Sequence, residues 1–381
     1  MKILGITSEY NPFHNGHKHH IDFSKHALSP DATVVVMSGN FTQRGEIACF
    51  DKWTRTKCAL LNGADLVVEL PTEFATSSAE RFAYGSVYLL NEMGATHISF
   101  GSEDDICKLN KIADSLLDKN FSVEKGSPIP FHIARQSSLD EKDIISKPNN
   151  ILGVEYLKAI KSLNSHIEPL AVKRLGAGYN DTEIIDGTVS ASKIRSMILE
   201  NDAYDNLVPE NVKQIYASSK FLSQEALFSL LIYAIKSKGV TEIQKIAHIR
   251  EGIENRIFKY AFESSSLDEL VKNIKSKRYT YTSISRMLVS ILLGIKKDTL
   301  CNHPEYIRVL GLNDNGAKAL NYIKSQTKLP IITKLSGAIS NLPPSAQKSL
   351  ELDILASDIY YSIAEIKTSG HPDFLYSPIK I

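Results

Sequence analysis

The chain has 381 residues, 43% of them hydrophobic, enough to bury at least one full core; at ~100–200 residues per domain, two domains are expected. Lys and Arg number 44 against 43 Asp and Glu, a formal charge of +1, which leaves nucleic-acid binding open until the local distribution is read. No run reaches the ~18 apolar residues of a membrane span, no basic-then-apolar leader opens the sequence, and Cys49, Cys58, Cys107 and Cys301 lie far apart without a C-x-x-C pair. Export, membrane anchoring, zinc ribbons and disulfide frameworks are thereby set aside, a reducing cytoplasm is the expected home, and no protein partner is inferred.

Ile3–Ile6 reads as a first strand. The stretch EYNPFHNGHKHH (9–20) follows, with Asn11-Pro12-Phe13 as a turn and a helix expected over Gly16–Leu28. Further β-branched runs at Thr33–Met37, Asp65–Leu70, His97–Phe100 and Ile167–Val172 alternate with helical patterns at Lys52–Leu61, Ala79–Met93 and Asn150–Leu163. Strands apolar throughout are buried on both faces, so the fold class expected is α/β with a Rossmann-like parallel sheet, and ligands should gather at the C-terminal ends of its strands. From about Asp202 helical periodicity takes over, at Gln224–Ile235, Glu242–Phe262 and Ile284–Ile295. The expected division is a catalytic domain over 1–201 and a mainly α-helical domain over 202–381, split in the polar, proline-ended stretch Asn201–Pro209.

His14 and His17 sit at the first strand-to-helix corner, where unpaired backbone N–H groups and the positive end of the helix dipole already favour anions. Gly16 between them allows close approach of the backbone to a polyphosphate, and two imidazoles facing one pocket can stabilise charge gathering on a departing pyrophosphate. Two other readings compete: a zinc site drawn from His14, His17, His19 and His20, for which no H-E-x-x-H or Cys partner completes a set, and a solvated loop. Downstream, SASKIR (190–195) opens an amphipathic helix with Ser190 as N-cap; Lys193 and Arg195, beside the hydroxyls of Ser190 and Ser192, form a second anion site, although a capped basic helix on a surface is common.

H-x-G-H after the first strand together with S-x-S-K-I-R after the fifth resembles the nucleotidyltransferase superfamily that shares a core with class I aminoacyl-tRNA synthetases. The blocks MKILGITSEYNPFHNGH, MSGNFTQRGEIACFDKWTR, DLVVELP, FGSE, KPNNILGVEYLKAI, KRLGAGYND, EGIENRI, KSKRYTYTSISRML and IITKLSG narrow the likeness to the tRNA(Met) cytidine acetate ligase family. That resemblance implies activation of acetate with ATP as acetyl-adenylate, with pyrophosphate released. The acetyl group would then pass to the exocyclic amine of the wobble cytidine of elongator tRNA(Met). It implies catalytic roles for His14, His17, Lys193 and Arg195. It implies ATP contacts along Thr7, Ser8, Glu9, Tyr10, Asn11, Pro12, Phe13, His14, Asn15, Gly16, His17, Lys18, His19 and His20, and at Gly101, Arg174, Ser190, Ser192 and one of Asn149 and Asn150. Magnesium (Mg2+) would be held largely by phosphates and water, since no carboxylate cage is evident.

Beside the resemblance, Ser38-Gly39-Asn40 at the end of the second strand could orient a small carboxylate or the α-phosphate, and Gly101 would let adenosine lie against bare backbone. Gln43, Arg44 and Lys52 are weaker candidates. No general base for the second step stands out, and Cys49 and Cys58 lack a partner for a covalent relay. Lys275, Lys277, Arg278 and Arg286, interleaved with Tyr279 and Tyr281, form the most basic aromatic-bearing segment and read as an RNA face, which Arg250, Arg256 and Lys259 would extend; an ordinary basic helix is the bland alternative. The alternative enzyme is a small-metabolite adenylyltransferase of nicotinate mononucleotide or phosphopantetheine type. The alternative outside catalysis is a tRNA-binding protein that keeps the nucleotide fold.

Overall fold

The computed structural model describes residues 1–118, 144–173, 189–250 and 252–381. Five parallel strands, β1 (Ile3–Ser8), β2 (Ala32–Ser38), β3 (Leu66–Leu70), β4 (His97–Ser102) and β5 (Glu168–Lys173), lie in the order β5-β4-β1-β2-β3. The chain lays strands outward from β1 to β3, then returns to place β4 and β5 on the other side of β1. That reversal makes the gap between β1 and β4 the switch point, where a crevice opens beyond the strand ends.

The period of two along each strand decides what lies on either face. Ile3, Val34, Val36, Leu66 and Val68 pack with the helices Ala79–Glu92, Ile106–Leu117 and Pro148–Ser162 on one side. Leu4, Ile6, Val35, Met37 and Val67 meet the helices Asn15–Leu28, Lys52–Leu61, Ala191–Glu200 and Glu210–Ala217 on the other. Both faces are covered, which is why β2 and β3 are buried from end to end.

The helices Phe228–Ile243, Ile253–Glu263, Leu267–Ile274 and Tyr281–Leu293 enclose a core of their own around Leu231, Ile235, Ile257, Leu270, Ile284 and Met287. The helix expected over Glu242–Phe262 forms only from Ile253: the preceding helix Phe228–Ile243 is broken at Gly239 (φ 67°), and His248 (φ 66°) and Gly252 (φ 88°), in left-handed backbone, separate it from the next. Gly45 (φ 74°) joins the two bodies: a Cβ there would lie 2.3 Å from the backbone nitrogen of Arg286, so only glycine lets the 41–47 loop rest on the helix Tyr281–Leu293.

The helical region also gives residues back to the sheet, across the division expected near residue 201. β6 (Ile307–Leu312) pairs antiparallel with β3, β7 (Ile331–Ile332) and β8 (Ile379–Lys380) pair with β6, and Ile307, Val309, Leu320 and Ile323 join the first face's core. Gly311 lets β6 pass close to the helix Lys52–Leu61, since a Cβ would lie 2.8 Å from Leu60 and Thr56.

Beneath that seam lies a sealed ion cluster. Lys52 Nζ donates to Glu69 Oε1 (2.8 Å) and Asp373 Oδ2 (2.9 Å), and Arg308 reaches Asp373 at 2.8 Å and Glu69 at 3.4 Å, all four residues being buried. Asp353 beside them accepts from Tyr306 Oη (2.5 Å) and from the Thr72 N–H (2.7 Å).

Candidate active site

β1 delivers the chain into Ser8-Glu9-Tyr10, with Tyr10 in left-handed backbone (φ 47°), a conformation that costs a non-glycine residue ~1–2 kcal/mol and turns the segment sharply towards the helix Asn15–Leu28. His14 is the N-cap of that helix. Its Nδ1 accepts the Gly16 N–H (3.0 Å), while His17 Nδ1 accepts the His14 N–H (3.3 Å), a capping box built from two imidazoles. A neutral imidazole that accepts through Nδ1 carries its proton on Nε2, so the capping fixes both rings as Nε2–H donors. The rings lie 3.8 Å apart centroid to centroid, and Tyr10 and Phe13 pack around His17. His20 Nε2 is 2.8 Å from Ser99 Oγ, which ties the helix to β4.

These residues open onto a cavity of about 900 Å³ at the switch point. One wall is apolar and backbone-rich, from Phe100, Gly101, Leu152, Val172 and Val189, with Asn149 at its edge. A second comes from the helix Ala191–Glu200: Ser190 Oγ caps it by accepting the Lys193 N–H (3.3 Å), and Arg195 reaches back to donate to Asn11 O (2.6 Å) and pair with Glu46 (3.2 Å). The third belongs to the helical body, where Thr280 Oγ1 caps the helix Tyr281–Leu293 by accepting the Ser283 N–H, and where Arg250, Arg278, Tyr279, Thr282 and Arg286 face inward. Three helix N-termini thus bear on one space, and each favours an anion.

The sequence-predicted residues divide accordingly. Thr7, Ser8, Glu9, Tyr10, Asn11, His14, Gly16, His17, His19, His20, Gln43, Arg44, Gly101, Asn149, Ser190, Arg195, Arg278, Tyr279 and Arg286 line the cavity. Pro12, Phe13, Asn15, Lys18, Asn150, Ser192 and Lys193 are not among the described lining residues. Phe13 is core and exchanges backbone hydrogen bonds with Tyr216 Oη, Asn15 donates to Asn206 O, and Lys18 is held by Asp22 on the outer side. Arg174 falls outside the described residues. Lys275, Lys277 and Tyr281 lie outside the cavity, Tyr281 half exposed with Lys275 Nζ 5.5 Å from its ring.

The choice between the adjacent asparagines follows from helix geometry. Asn150 is fully buried: its Oδ1 accepts from the Glu103 and Asp104 N–H groups, and its Nδ2 donates to Asp104 and to Ile144 O, so its hydrogen-bonding capacity is spent inside the fold. Asn149, one position earlier, turns to the cavity and also bonds Glu103.

Two expectations are corrected. Ser38-Gly39-Asn40 does not present its donors to the cavity: Asn40 is buried, accepting the Lys52 N–H through Oδ1 and donating to Ser357, and Glu69 Oε1 stands 2.4 Å from where a Gly39 Cβ would be. The carbonyls of Ser38 and Gly39 are taken by the fully buried Arg55, which also donates to Phe50 O and Glu9 O. Lys52 belongs to the sealed ion cluster, not to the site. Cys49 and Cys58 are buried, and burial pushes both thiols up to about 12, so neither supplies a thiolate at neutral pH.

Sequence reasoning named Glu9 but missed the cavity's other carboxylates, Glu46, Glu80 and Glu155. Glu80 and Glu155 line the cavity and share Lys158, at 3.0 and 2.6 Å. Glu9 has its carboxyl raised by burial, against the lowering effect of the Gln43 N–H (2.7 Å), Arg44 and Arg195. Arg286 is lowered to about 10 by burial and by Arg44. Six cations line the cavity, Arg44, Lys173, Arg195, Arg250, Arg278 and Arg286, so its field among the described residues is positive despite four carboxylates.

The chain matches the model of the HIGH Nucleotidyl Transferase family over residues 1–372. It is 41% identical to the tRNA(Met) cytidine acetate ligase of Thermoanaerobacter sp. (strain X514), covering 100% of both chains, and 40% identical to that of Clostridium perfringens, covering 100% of this chain and 99% of the relative. Its fold is similar to that of Thermotoga maritima TmcAL, with a TM-score of 0.90 to the apo form and 0.91 to the form bound with alpha-thio ATP, at 31% identity and complete coverage of both chains. With the paired imidazoles of HNGH and the capped SASKIR helix opening on one cavity, the chain belongs to the tRNA(Met) cytidine acetate ligase family.

Proposed function

We propose that this chain binds ATP, activates acetate as acetyl-adenylate with release of pyrophosphate, and transfers the acetyl group to N4 of the wobble cytidine of elongator tRNA(Met), giving N4-acetylcytidine. The observation that carries the reading is the meeting of two helix N-termini, one with His14 and His17 and one with Ser190 and Arg195, on a single cavity at the sheet's switch point. Adenosine lies against Gly101 and the apolar wall, with Asn149 at its edge. The triphosphate runs towards the imidazole Nε2–H donors and Arg195. Donors aimed at the leaving pyrophosphate contribute ~10²–10³ each where the site excludes water. Lys193 would have to swing inward to reach the β and γ groups.

Among the described residues no group of three His, Cys, Asp or Glu side chains could hold a metal ion. Magnesium would enter with the nucleotide, held by phosphate oxygens and water, and would offset charge on the triphosphate. The tRNA approaches from the helical body. Arg286 and Tyr279 meet the target nucleotide inside the cavity, while Arg278 at its rim and Lys275, Lys277 and Tyr281 outside hold the strand. In this reading residues 1–201 supply the chemistry and 202–381 bind tRNA, β6 and its neighbours apart. Among the described residues no helix is long and apolar enough to cross a membrane; we place the enzyme in the cytoplasm, with its tRNA substrate.

Incubation with ATP and labelled pyrophosphate tests the first step: acetate-dependent exchange of label into ATP is expected, and exchange indifferent to acetate would favour the small-metabolite adenylyltransferase. Mass spectrometry of tRNA nucleosides after reaction tests the second, with acetylcytidine the expected product. Propionate in place of acetate should react ~10–200-fold less well, the discrimination one methylene allows.

A further inference from the structure

We propose that Glu9 is the proton acceptor of the transfer step, the base that takes the proton of the attacking amine; this rests on the acetyl-transfer reading above. The exocyclic amine of cytosine is conjugated with its ring and poorly nucleophilic, so its proton must leave as the new bond forms. In the step, the N4 lone pair attacks the acetyl carbonyl carbon and the C–N bond forms. The bond from that carbon to the phosphate oxygen breaks, its electron pair leaving with AMP, and one N4 proton passes to the Glu9 carboxylate and on to solvent. Atoms and charge balance without a further reactant.

The cavity's other carboxylates are committed. Glu46 pairs with Arg195 at 3.2 Å, and Glu80 and Glu155 share Lys158. Glu9 differs in each respect. It stands at the C-terminal end of β1, between the strand and the His14 cap, its backbone carbonyl pinned by Arg55 at 2.6 Å and its Oε1 by the Gln43 N–H at 2.7 Å. Among the described residues no donor is bonded to Oε2. One oxygen is oriented and the other is left for a substrate proton, the arrangement a positioned base requires.

Every neighbouring element bears on its charge. Arg44 and Glu46 come from the 41–47 loop, Arg195 from the helix Ala191–Glu200, Tyr156 from the helix Pro148–Ser162 and Arg55 from the helix Lys52–Leu61. Burial among them raises the carboxyl above the ordinary range, which strengthens its conjugate base.

The test separates the two steps in Glu9→Gln and Glu9→Asp. Acetate-dependent pyrophosphate exchange reports adenylate formation and, because it needs an intact site, also reports folding. Single-turnover transfer to tRNA, followed from acidic to neutral pH, reports the second step. In Glu9→Gln transfer is expected to fall ~10²–10⁴-fold further than exchange does, the usual contribution of a general base. The wild-type rise of transfer with pH should be absent in Glu9→Gln and present in Glu9→Asp. Loss of exchange in parallel with transfer, unchanged transfer, or a pH limb that persists in Glu9→Gln overturns the proposal. A wild-type protein without acetate-dependent exchange would instead refute the acetyl-transfer reading itself.

Discussion

Two charged regions of the molecule are built on opposite plans. In the cluster under β3 and β6, Lys52 and Arg308 face Glu69 and Asp373 at contact distance, and all four are buried. In the cavity, six cations meet four carboxylates, two of which are already held by Lys158. Desolvated charge is tolerated only where it is matched, so the first region is complete as it stands. The second carries an excess that a polyanion would balance. Charge balance within a cluster thus tells a structural ion network from a binding site, which residue type alone does not.

The sharpest way to break the comparison is to unbalance the complete cluster. Lys52→Met removes the one ammonium shared by Glu69 and Asp373 and leaves two carboxylates facing Arg308 alone. A broken buried pair costs about 3–5 kcal/mol, so denaturant unfolding should show a loss of that size. A loss under about 1 kcal/mol would mean the cluster does not hold the C-terminal segment to the sheet.

In the cavity the ordering reverses. His17→Asn keeps an acceptor near the position of Nδ1, so the cap of the helix Asn15–Leu28 survives and stability should stay within about 1 kcal/mol. The Nε2–H donor is lost, and pyrophosphate exchange should fall by ~10²–10³. Equal losses in both readouts would place His17 with the structural residues.

How much of this could be read beforehand depended on whether the signal was contiguous. The first five strands were legible within a residue or two, β2 and β3 because strands covered on both faces are near-continuously apolar, the others because short apolar runs alternate with helical patterns. β6 was not, since IRVLGL stands among helical patterns and pairs with a strand distant in sequence. HNGH and SASKIR were legible for the same reason as the strands, each being a local motif at a helix start. Glu80, Glu155 and the different orientations of Asn149 and Asn150 were not, because they follow from which way neighbouring side chains turn in the folded chain. Ser38-Gly39-Asn40 misled because its first two carbonyls and the Asn40 amide are taken by Arg55, Lys52 and Ser357, all outside the stretch itself.

A smaller effect sharpens the cavity side. Arg278 is exposed at the cavity rim, and Arg278→Ala should weaken tRNA binding uniformly across sequences; the slope of log affinity against log salt should fall by about 1 for one lost phosphate contact. Pyrophosphate exchange should be unaffected, since adenylate formation needs no tRNA. An unchanged salt slope would remove this residue from the RNA face.

A pH effect returns to the sealed cluster and concerns Asp353. Burial, with the charge of Glu69 nearby, raises its carboxyl to about 7 from an ordinary 3.8, while the hydrogen bonds from Tyr306 and Thr72 and the charge of Lys52 pull the other way. Between those two values the folded protein holds a proton that the unfolded chain has released, so stability must fall as pH rises, by at most ~1.4 kcal/mol per pH unit. Asp353→Asn cannot titrate, and its unfolding free energy between pH 5 and 7 should lack that decline. Parallel curves for the two proteins would show that Asp353 is ionised throughout, and that the cluster carries a net negative charge where the geometry indicates neutrality.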